Sequence, residues 1–177
     1  MSSREIHTVV KQVGGAVTLD VCHQTCTLVH RGSPSVTVFV EDPTQPCDTL
    51  TRIVLIQDDG RKELHLYWRA EEPRDCHLLL IEETSRLFVG TNRSLAVFDY
   101  QNEVFVNEDF LWCFYGFELR GRYVLVTSEL ECLLLSRFGE ILGRVAVDPP
   151  WEEHSLAEGL AFDSPVAGRQ VLRWPPD

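Results

Sequence analysis

The residues best suited to bind a metal lie in one short segment, where Cys22 and His23 are followed by Cys26. Thiolate sulfur and imidazole nitrogen are preferred zinc ligands, and structural zinc sites usually combine two such pairs. On a strand, Cys22 and Cys26 would share a face but lie too far apart to hold one ion unless the chain turned between them. The segment is therefore a weak metal candidate. The simpler interpretation is two semi-buried thiols beside a surface histidine.

Catalytic motifs are absent from the sequence. Cys76 and His77 are adjacent, but neighbouring side chains on a strand point to opposite faces, which argues against a thiol activated by that histidine. Carboxylate doublets such as Glu152 and Glu153 fall in predicted turns or loops, where solvated charge is expected. The chain has no phosphate-binding loop, dinucleotide fingerprint or Gly-x-Ser-x-Gly elbow. We therefore predict no catalytic residue and no cofactor.

The most aromatic segment runs from Asp109 to Phe117 and contains Trp112, Phe114 and Tyr115. Two interpretations of this segment are open. Aromatic side chains give a large contact area at low entropic cost, which would suit a platform for a partner. Such side chains are also mostly interior in folded proteins, which favours a buried strand between neighbouring sheets.

Short strands must position these residues, and the clearest of them form a repeat. Residues 86–105 and 122–142 each read as a strand, a polar bend, a second strand, a turn and a strand that follows a glutamate. The copies lie about 36 residues apart, with one inserted residue in the second bend. The segments 159–163 and 170–174 look like a shortened third copy.

The remaining elements are also predicted to be short strands. We expect a hairpin that turns at Gly14 and Gly15, a strand at 35–41, and a hairpin that joins 52–57 to 63–68. Only residues 151–161 have a modest helical pattern, enough for one or two turns. The sequence thus predicts an all-β or nearly all-β fold.

The repeat resembles the blades of β-propeller proteins, although the Gly-His and Trp-Asp marks of the common forty-residue repeat are missing. The resemblance implies antiparallel meander sheets arranged propeller-like, as a small or half propeller, or as a curved sandwich. About four such units would fit in one domain spanning residues 1–177. An open form would leave edges for a second copy to cover, as a homodimer through sheet edges.

The net charge of −11 is spread as −2, −5 and −4 over residues 1–50, 51–110 and 111–177. A field of this sign repels nucleic acids and anionic membranes and attracts basic proteins. The N-terminus lacks the apolar core of a signal peptide, and no apolar run approaches a membrane span. We therefore expect a cytoplasmic protein whose six cysteines are reduced.

The preferred hypothesis is a non-enzymatic protein-interaction domain that binds or inhibits a basic partner. A bacterial source would make a basic toxin or nuclease a natural target. Contacts are expected in the bends 90–94 and 126–130 and in the connector 110–117, where the copies differ or are interrupted. The predicted partner-binding residues are Trp112, Phe114, Tyr115, Glu152 and Glu153. The alternative is a metal-binding or hydrolytic enzyme with loop-borne cysteine and histidine residues.

Overall fold

The prediction of an all-β fold is confirmed by a computed structural model, which describes residues 5–27, 36–58, 60–71 and 75–176. These ranges contain sixteen strands and one short 3₁₀ helix at Glu82–Thr84. Within them no helix has the length and apolar character needed to cross a membrane.

The strands are short and follow one another closely along the chain. In chain order they are β1 (His7–Val13), β2 (Thr18–Thr25), β3 (Val36–Val40), β4 (Thr49–Gln57), β5 (Gly60–Trp68), β6 (Asp75–Ile81), β7 (Arg86–Gly90), β8 (Ser94–Asp99), β9 (Val104–Phe110), β10 (Phe114–Arg120), β11 (Tyr123–Ser128), β12 (Glu131–Ser136), β13 (Ile141–Ala146), β14 (Glu152–Leu156), β15 (Gly159–Ser164) and β16 (Gly168–Arg173).

These strands form four sheets, numbered here by their position in the stack. Sheet I has the order β2-β4-β5-β3, and sheet II has the order β1-β6-β7-β8-β9. Sheet III is the meander β10-β11-β12-β13, and sheet IV is the three-stranded meander β14-β15-β16. Among the described strands, the pairs β1–β6 and β3–β5 are parallel and the others are antiparallel.

The sheets pack face to face in series, with one apolar core between each consecutive pair. The core between sheets I and II includes Leu55, Leu66, Leu78 and Phe98. The core between sheets II and III includes Phe88, Val97, Val126 and Leu133. The core between sheets III and IV includes Leu134, Phe162 and Leu172. Sheets II and III are thus covered on both faces, which explains why consecutive residues of β7 and β12 are buried. Among the described residues no core joins sheet I to sheet IV, so the propeller-like series is open.

The predicted repeat is present as two sets of three antiparallel strands, β7 to β9 and β11 to β13. Corresponding strands begin a constant 37 residues apart, so the inserted residue is not needed to align them. Asp99 and Ser136 end the second strand of each set and hold the turn that follows. The Asp99 carboxylate accepts the backbone N–H groups of Gln101 and Asn102, and the Ser136 hydroxyl accepts that of Phe138.

The predicted hairpin at Gly14 and Gly15 is wrong. β1 joins sheet II beside β6, whereas β2 joins sheet I beside β4, so the glycines lie where the chain passes between sheets. Glu82 fixes this passage, because its carboxylate accepts the N–H of Ala16 at 2.9 Å. Gly14 has φ of 124°, and a Cβ there would lie 2.3 Å from the Glu82 side chain. Glycine is therefore required for the crossing, not for a hairpin turn.

The other local predictions have mixed outcomes. The hairpin of β4 and β5 is confirmed, as is the strand β3, although Phe39 is buried there and the flanking valines are only half-buried. The helical turns predicted at 151–161 are wrong, because β14 pairs with β15. Glu153 faces Phe162 across this pair and Glu152 faces Asp163, so the doublet lies on a strand and not in a loop.

Candidate functional site

A cleft of about 240 Å³ opens at one end of sheets II and III. Four segments surround it: the segment at Glu71 that follows β5, the β7–β8 bend, the connector between β9 and β10, and the β11–β12 bend. Its lining residues are Glu71, Asn92, Arg93, Trp112, Cys113, Phe114, Tyr115 and Glu129. The structure thus brings together the two bends and the connector in which the sequence analysis placed partner contacts.

Backbone hydrogen bonds join these segments directly. Arg93 of the first bend accepts the N–H of Leu111 at 2.8 Å. On the other side of the connector, Glu129 donates its N–H to Trp112 O at 3.1 Å. Cys113 between them has φ of 50°, a left-handed conformation that reverses the chain direction. The cleft is therefore held by the main chain, and its side chains project from a fixed frame.

The aromatic connector alternates between buried and exposed side chains. Phe114 is only 4% exposed and packs on Phe117 and His77, with ring centroids 4.8 and 5.2 Å away. Trp112 and Tyr115 are 45% and 46% exposed and form the aromatic wall of the cleft. The interior interpretation of this segment therefore applies to Phe114, and the platform interpretation stays a prediction that now concerns Trp112 and Tyr115. Of the three aromatic residues predicted to contact a partner, Phe114 is buried and the other two are exposed.

Arg93 lies between an acidic and an aromatic side chain. Its Nη2 is 2.5 Å from Oε2 of Glu71, and its Cζ is 5.0 Å from the centre of the Trp112 ring. Arg69 also approaches Glu71, at 3.4 Å from Oε1. In contrast, the carboxylate of Glu129 has no ion-pair partner within the part of the chain that the structure describes. The cleft thus contains one cation that is already bound and one carboxylate without a counter-charge.

Glu129 also influences the two ionisable groups next to it. Burial and a hydrogen bond with Glu129 raise the pKa of Cys113, so its thiol stays protonated near neutral pH. Burial and the negative charge of Glu129 raise the pKa of Tyr115 as well. Neither group is thereby prepared for nucleophilic or base catalysis. The chemistry offered by the cleft is that of contact and charge pairing.

A second, more open cleft of about 180 Å³ begins at Ser94, the residue that follows Arg93. Glu41 is one of its lining residues, and the Glu41 carboxylate accepts hydrogen bonds from the hydroxyls of Thr91 and Ser94. Glu108 and the half-exposed Phe110 also line this cleft. Acidic and aromatic side chains therefore continue along the same end of the sheets.

The two predicted glutamates lie away from the cleft, on sheet IV. Glu153 forms an ion pair with Arg120, whose Nη2 is 2.6 Å from Oε1. The side chain of Glu152 is 83% exposed, and its carboxylate lies 4.0 Å from Nε2 of His154. The structure therefore divides the predicted partner-binding set into an aromatic part at the cleft and an acidic part on another sheet.

The weak metal candidates on β2 are also separated. Both ring nitrogens of His23 lie within hydrogen-bonding distance of hydroxyls, Thr8 Oγ1 at 2.6 Å and Thr51 Oγ1 at 2.8 Å. Cys22 is exposed, whereas Cys26 follows the end of the strand and donates its N–H to Asp48 O. The described ranges contain no group of three or more histidine, cysteine, aspartate or glutamate residues arranged to hold a metal.

The charged residues Glu71, Arg93 and Glu129 were not predicted as site residues from the sequence, and the doublet that contains Glu71 was assigned to a solvated loop. The signal for the last two was present, because each occupies the bend of one repeat copy at a position where the copies differ. Glu71 follows β5, outside both repeat copies, so no difference between the copies indicates it. Only packing of sheet I against sheet II places it beside Arg93.

The fold and the cleft define an all-β protein with propeller-like sheets and a candidate contact site at the sheet ends. No family model matches the chain, and no curated protein matches it. Its sheets are similar to part of Hsv2 from Kluyvelomyces marxianus, at 10% identity and a TM-score of 0.35, over 77% of this chain and 48% of that one.

Two further solved structures show similarities of the same order. KlHsv2 with loop 6CD replaced by a Gly-Ser linker is 9% identical, with a TM-score of 0.37 over 73% of this chain and 44% of that chain. BamB from Moraxella catarrhalis is 12% identical, with a TM-score of 0.26 over 68% and 54%. This chain therefore spans about half the length of the structures it matches.

Proposed function

We propose that this protein is a non-enzymatic interaction domain that binds a basic segment of a protein partner at the Trp112–Tyr115 cleft. One observation carries the proposal: two half-exposed aromatic rings lie beside Glu129, a carboxylate that has no counter-charge among the described residues. Aromatic residues with exposed faces are enriched at protein interfaces, where they supply most of the contact energy. A carboxylate that lacks a cationic partner in the described residues favours a cationic group in the binding partner.

The charge of the whole molecule supports the same class of partner. A net charge of −11 accelerates the approach of a basic protein and slows that of an acidic one. Glu108 at the neighbouring cleft would extend the acidic surface beyond Glu129. A partner segment that crosses both clefts would meet Tyr115, Trp112 and Phe110 in turn.

The test is capture of partners from the native host's lysate by tagged protein at low salt, followed by mass spectrometry. Glu129→Lys reverses the charge in the cleft, and Glu158→Lys makes the same change at an exposed turn of sheet IV. The proposal expects a basic protein that is retained by the wild type and Glu158→Lys, released by salt, and lost with Glu129→Lys. Identical capture by all three proteins would overturn it.

Long-range attraction is a separate part of the proposal, and Glu152 is suited to test it. Because Glu152 is exposed and lies outside the cleft, Glu152→Lys is expected to slow association with the captured partner and leave its dissociation rate unchanged. Surface plasmon resonance at two salt concentrations would separate these rates. A faster dissociation would instead place Glu152 in the interface.

Self-association through sheet edges is the second prediction about partners. β9 and β13 are edge strands, and Val104, Val106 and Ile141 on them are 49%, 43% and 39% exposed. Unpaired apolar edges are prone to pair with another copy. Light scattering at micromolar concentration is expected to give a dimer for the wild type and a monomer for Ile141→Lys. A wild-type monomer would contradict this prediction.

A further inference from the structure

We infer that Arg93 is an internal occupant of the cleft and that an arginine of the partner displaces it from Trp112 and Glu71. The inference rests on the proposed function, because it assumes that the cleft receives a cation. The guanidinium of Arg93 already makes the two contacts expected of such a ligand, with the Glu71 carboxylate at 2.5 Å and over the Trp112 ring at 5.0 Å. The chain's own arginine therefore shows which chemistry this cleft accepts.

Arginine is favoured over lysine by the shape of the site. A planar guanidinium can stack on an aromatic ring while its N–H groups pair with a carboxylate, whereas an ammonium group acts as a point charge. The cleft offers an aromatic ring beside a carboxylate twice, as Trp112 with Glu71 and as Tyr115 with Glu129. Arg93 uses the first combination, and no cation from the described part of the chain pairs with the second.

Displacement of Arg93 would not disturb the fold. The side chains of Arg93 and Glu71 are 40% and 32% exposed, and ion pairs between such exposed groups are weak. The backbone of the bend is held separately, because Thr91 donates its N–H to Ser94 O and Arg93 O accepts the N–H of Leu111. The Arg93 side chain can therefore leave the cleft by rotation about its own bonds, with the main chain in place.

The same geometry makes Arg93 an inhibitor of binding in the unoccupied protein. Its positive charge lies in the cleft and repels an incoming cation, and its guanidinium covers part of the Trp112 ring. Removal of this charge is therefore expected to strengthen binding of a cationic partner. A merely structural role for Arg93 would predict the opposite sign, since its loss would loosen the site.

The test uses a short capped glycine-serine peptide that carries two arginines, with lysine and citrulline versions as controls. Citrulline keeps the shape of arginine without its charge. Binding is followed by NMR titration of the Trp112 indole N–H, which is assigned by its loss in Trp112→Phe. Arg93→Gln is compared with Arg173→Gln, which removes the same charge from the exposed end of β16. Thermal melts confirm that both variants are folded.

We expect Arg93→Gln to bind the arginine peptide at least about threefold more tightly than the wild type, and Arg173→Gln to bind it like the wild type. The lysine peptide should bind more weakly, and the citrulline peptide should not bind. If the wild type binds the arginine peptide and Arg93→Gln binds it equally or less tightly, the displacement inference fails and the proposed function stands. If no protein binds the arginine peptide, both fail.

Discussion

Gly90 is the position at which a single methyl group is expected to disturb the support of the cleft. It lies at the end of β7, and a Cβ built there would be 2.3 Å from two ring carbons of Phe114. Carbon atoms in contact normally lie about 3.5–4.0 Å apart, so the ring would have to retreat by more than about 1 Å. Phe114 has little freedom to do so, because it is 4% exposed and packs on Phe117 and His77.

The expected magnitude and sign of Gly90→Ala depend on that ring. Overpacking of a well-filled core costs about 1–3 kcal/mol, which is the expected loss of unfolding free energy in the wild-type background. Gly90 does not have a positive φ, so alanine fits its backbone conformation. With the ring removed in Phe114→Ala, the same substitution should become neutral or stabilising by about 0.4–1 kcal/mol, because alanine restricts the unfolded chain.

Urea denaturation of the four proteins would complete this double-mutant cycle, with unfolding free energies extrapolated to water. If Phe114→Ala does not fold, Phe114→Leu serves in the same place. The reasoning predicts a coupling between the two positions that abolishes or reverses the destabilisation caused by Gly90→Ala. An equal cost of Gly90→Ala in both backgrounds would refute it.

Three further predictions concern charge and thiol chemistry. The hydrogen bond from Arg52 lowers the pKa of Glu63 from 4.5 to about 2, so this carboxylate stabilises the fold above about pH 4.5 and loses that effect as the pH falls toward 2. Glu63→Gln should therefore cost more stability near neutral pH than near pH 2, which urea denaturation across that range would show; an equal cost would contradict the pairing. Arg86→Ala should cost about 3–5 kcal/mol in the same assay, because it leaves the carboxylate of Asp99, only 4% exposed, without its ion pair at 2.8 Å. A cost below about 1 kcal/mol would show that water reaches Asp99. Finally, thiol labelling of the native protein, analysed by mass spectrometry, should modify four of the six cysteines. Cys76 and Cys132 should resist labelling, because both are buried and burial raises the pKa of each thiol to about 12.

The sequence was informative where one face of a strand differs from the other or where a unit recurs. The repeat at 86–105 and 122–142 was visible because bends and turns interrupt apolar strands at fixed spacing. The β4–β5 hairpin was visible because an Asp-Gly pair, which tolerates tight hairpin turns, separates two strand patterns in the sequence. Local patterns of this kind depend on residues that are close together in the chain, so they can be recognised from the sequence.

Pairing between distant segments was not accessible in the same way. Residues 7–13 and 18–25 have the pattern of a hairpin, yet each strand pairs with a different sheet. Their separation depends on Glu82, some seventy residues away in the sequence, whose carboxylate holds Ala16. Residues 151–161 have a modest helical pattern, but β14 instead pairs with β15 within sheet IV, because tertiary contacts override weak local preferences.

The candidate site was predictable in its location and not in its chemistry. The connector and both bends were indicated by their position between repeats, and Trp112 and Tyr115 are exposed there. The chain reversal at Cys113 determines which aromatic side chains face outward. No sequence pattern predicts the positive φ of this residue. The pairing of Arg93 with Glu71 depended on the packing of sheet I against sheet II.

The serial stacking of the sheets also bears on the order in which parts of the protein exchange their amide hydrogens. In the part of the chain that the structure describes, sheets II and III each lie between two apolar cores, whereas sheets I and IV each border one. Protection against exchange follows the free energy of local opening, so it should be highest in β6 to β8 and β11 to β12 and should fall toward β14 to β16. The cleft opens at the end of sheets II and III, the two sheets that are expected to exchange most slowly. A ligand bound there would find a surface that persists through most partial openings of the molecule.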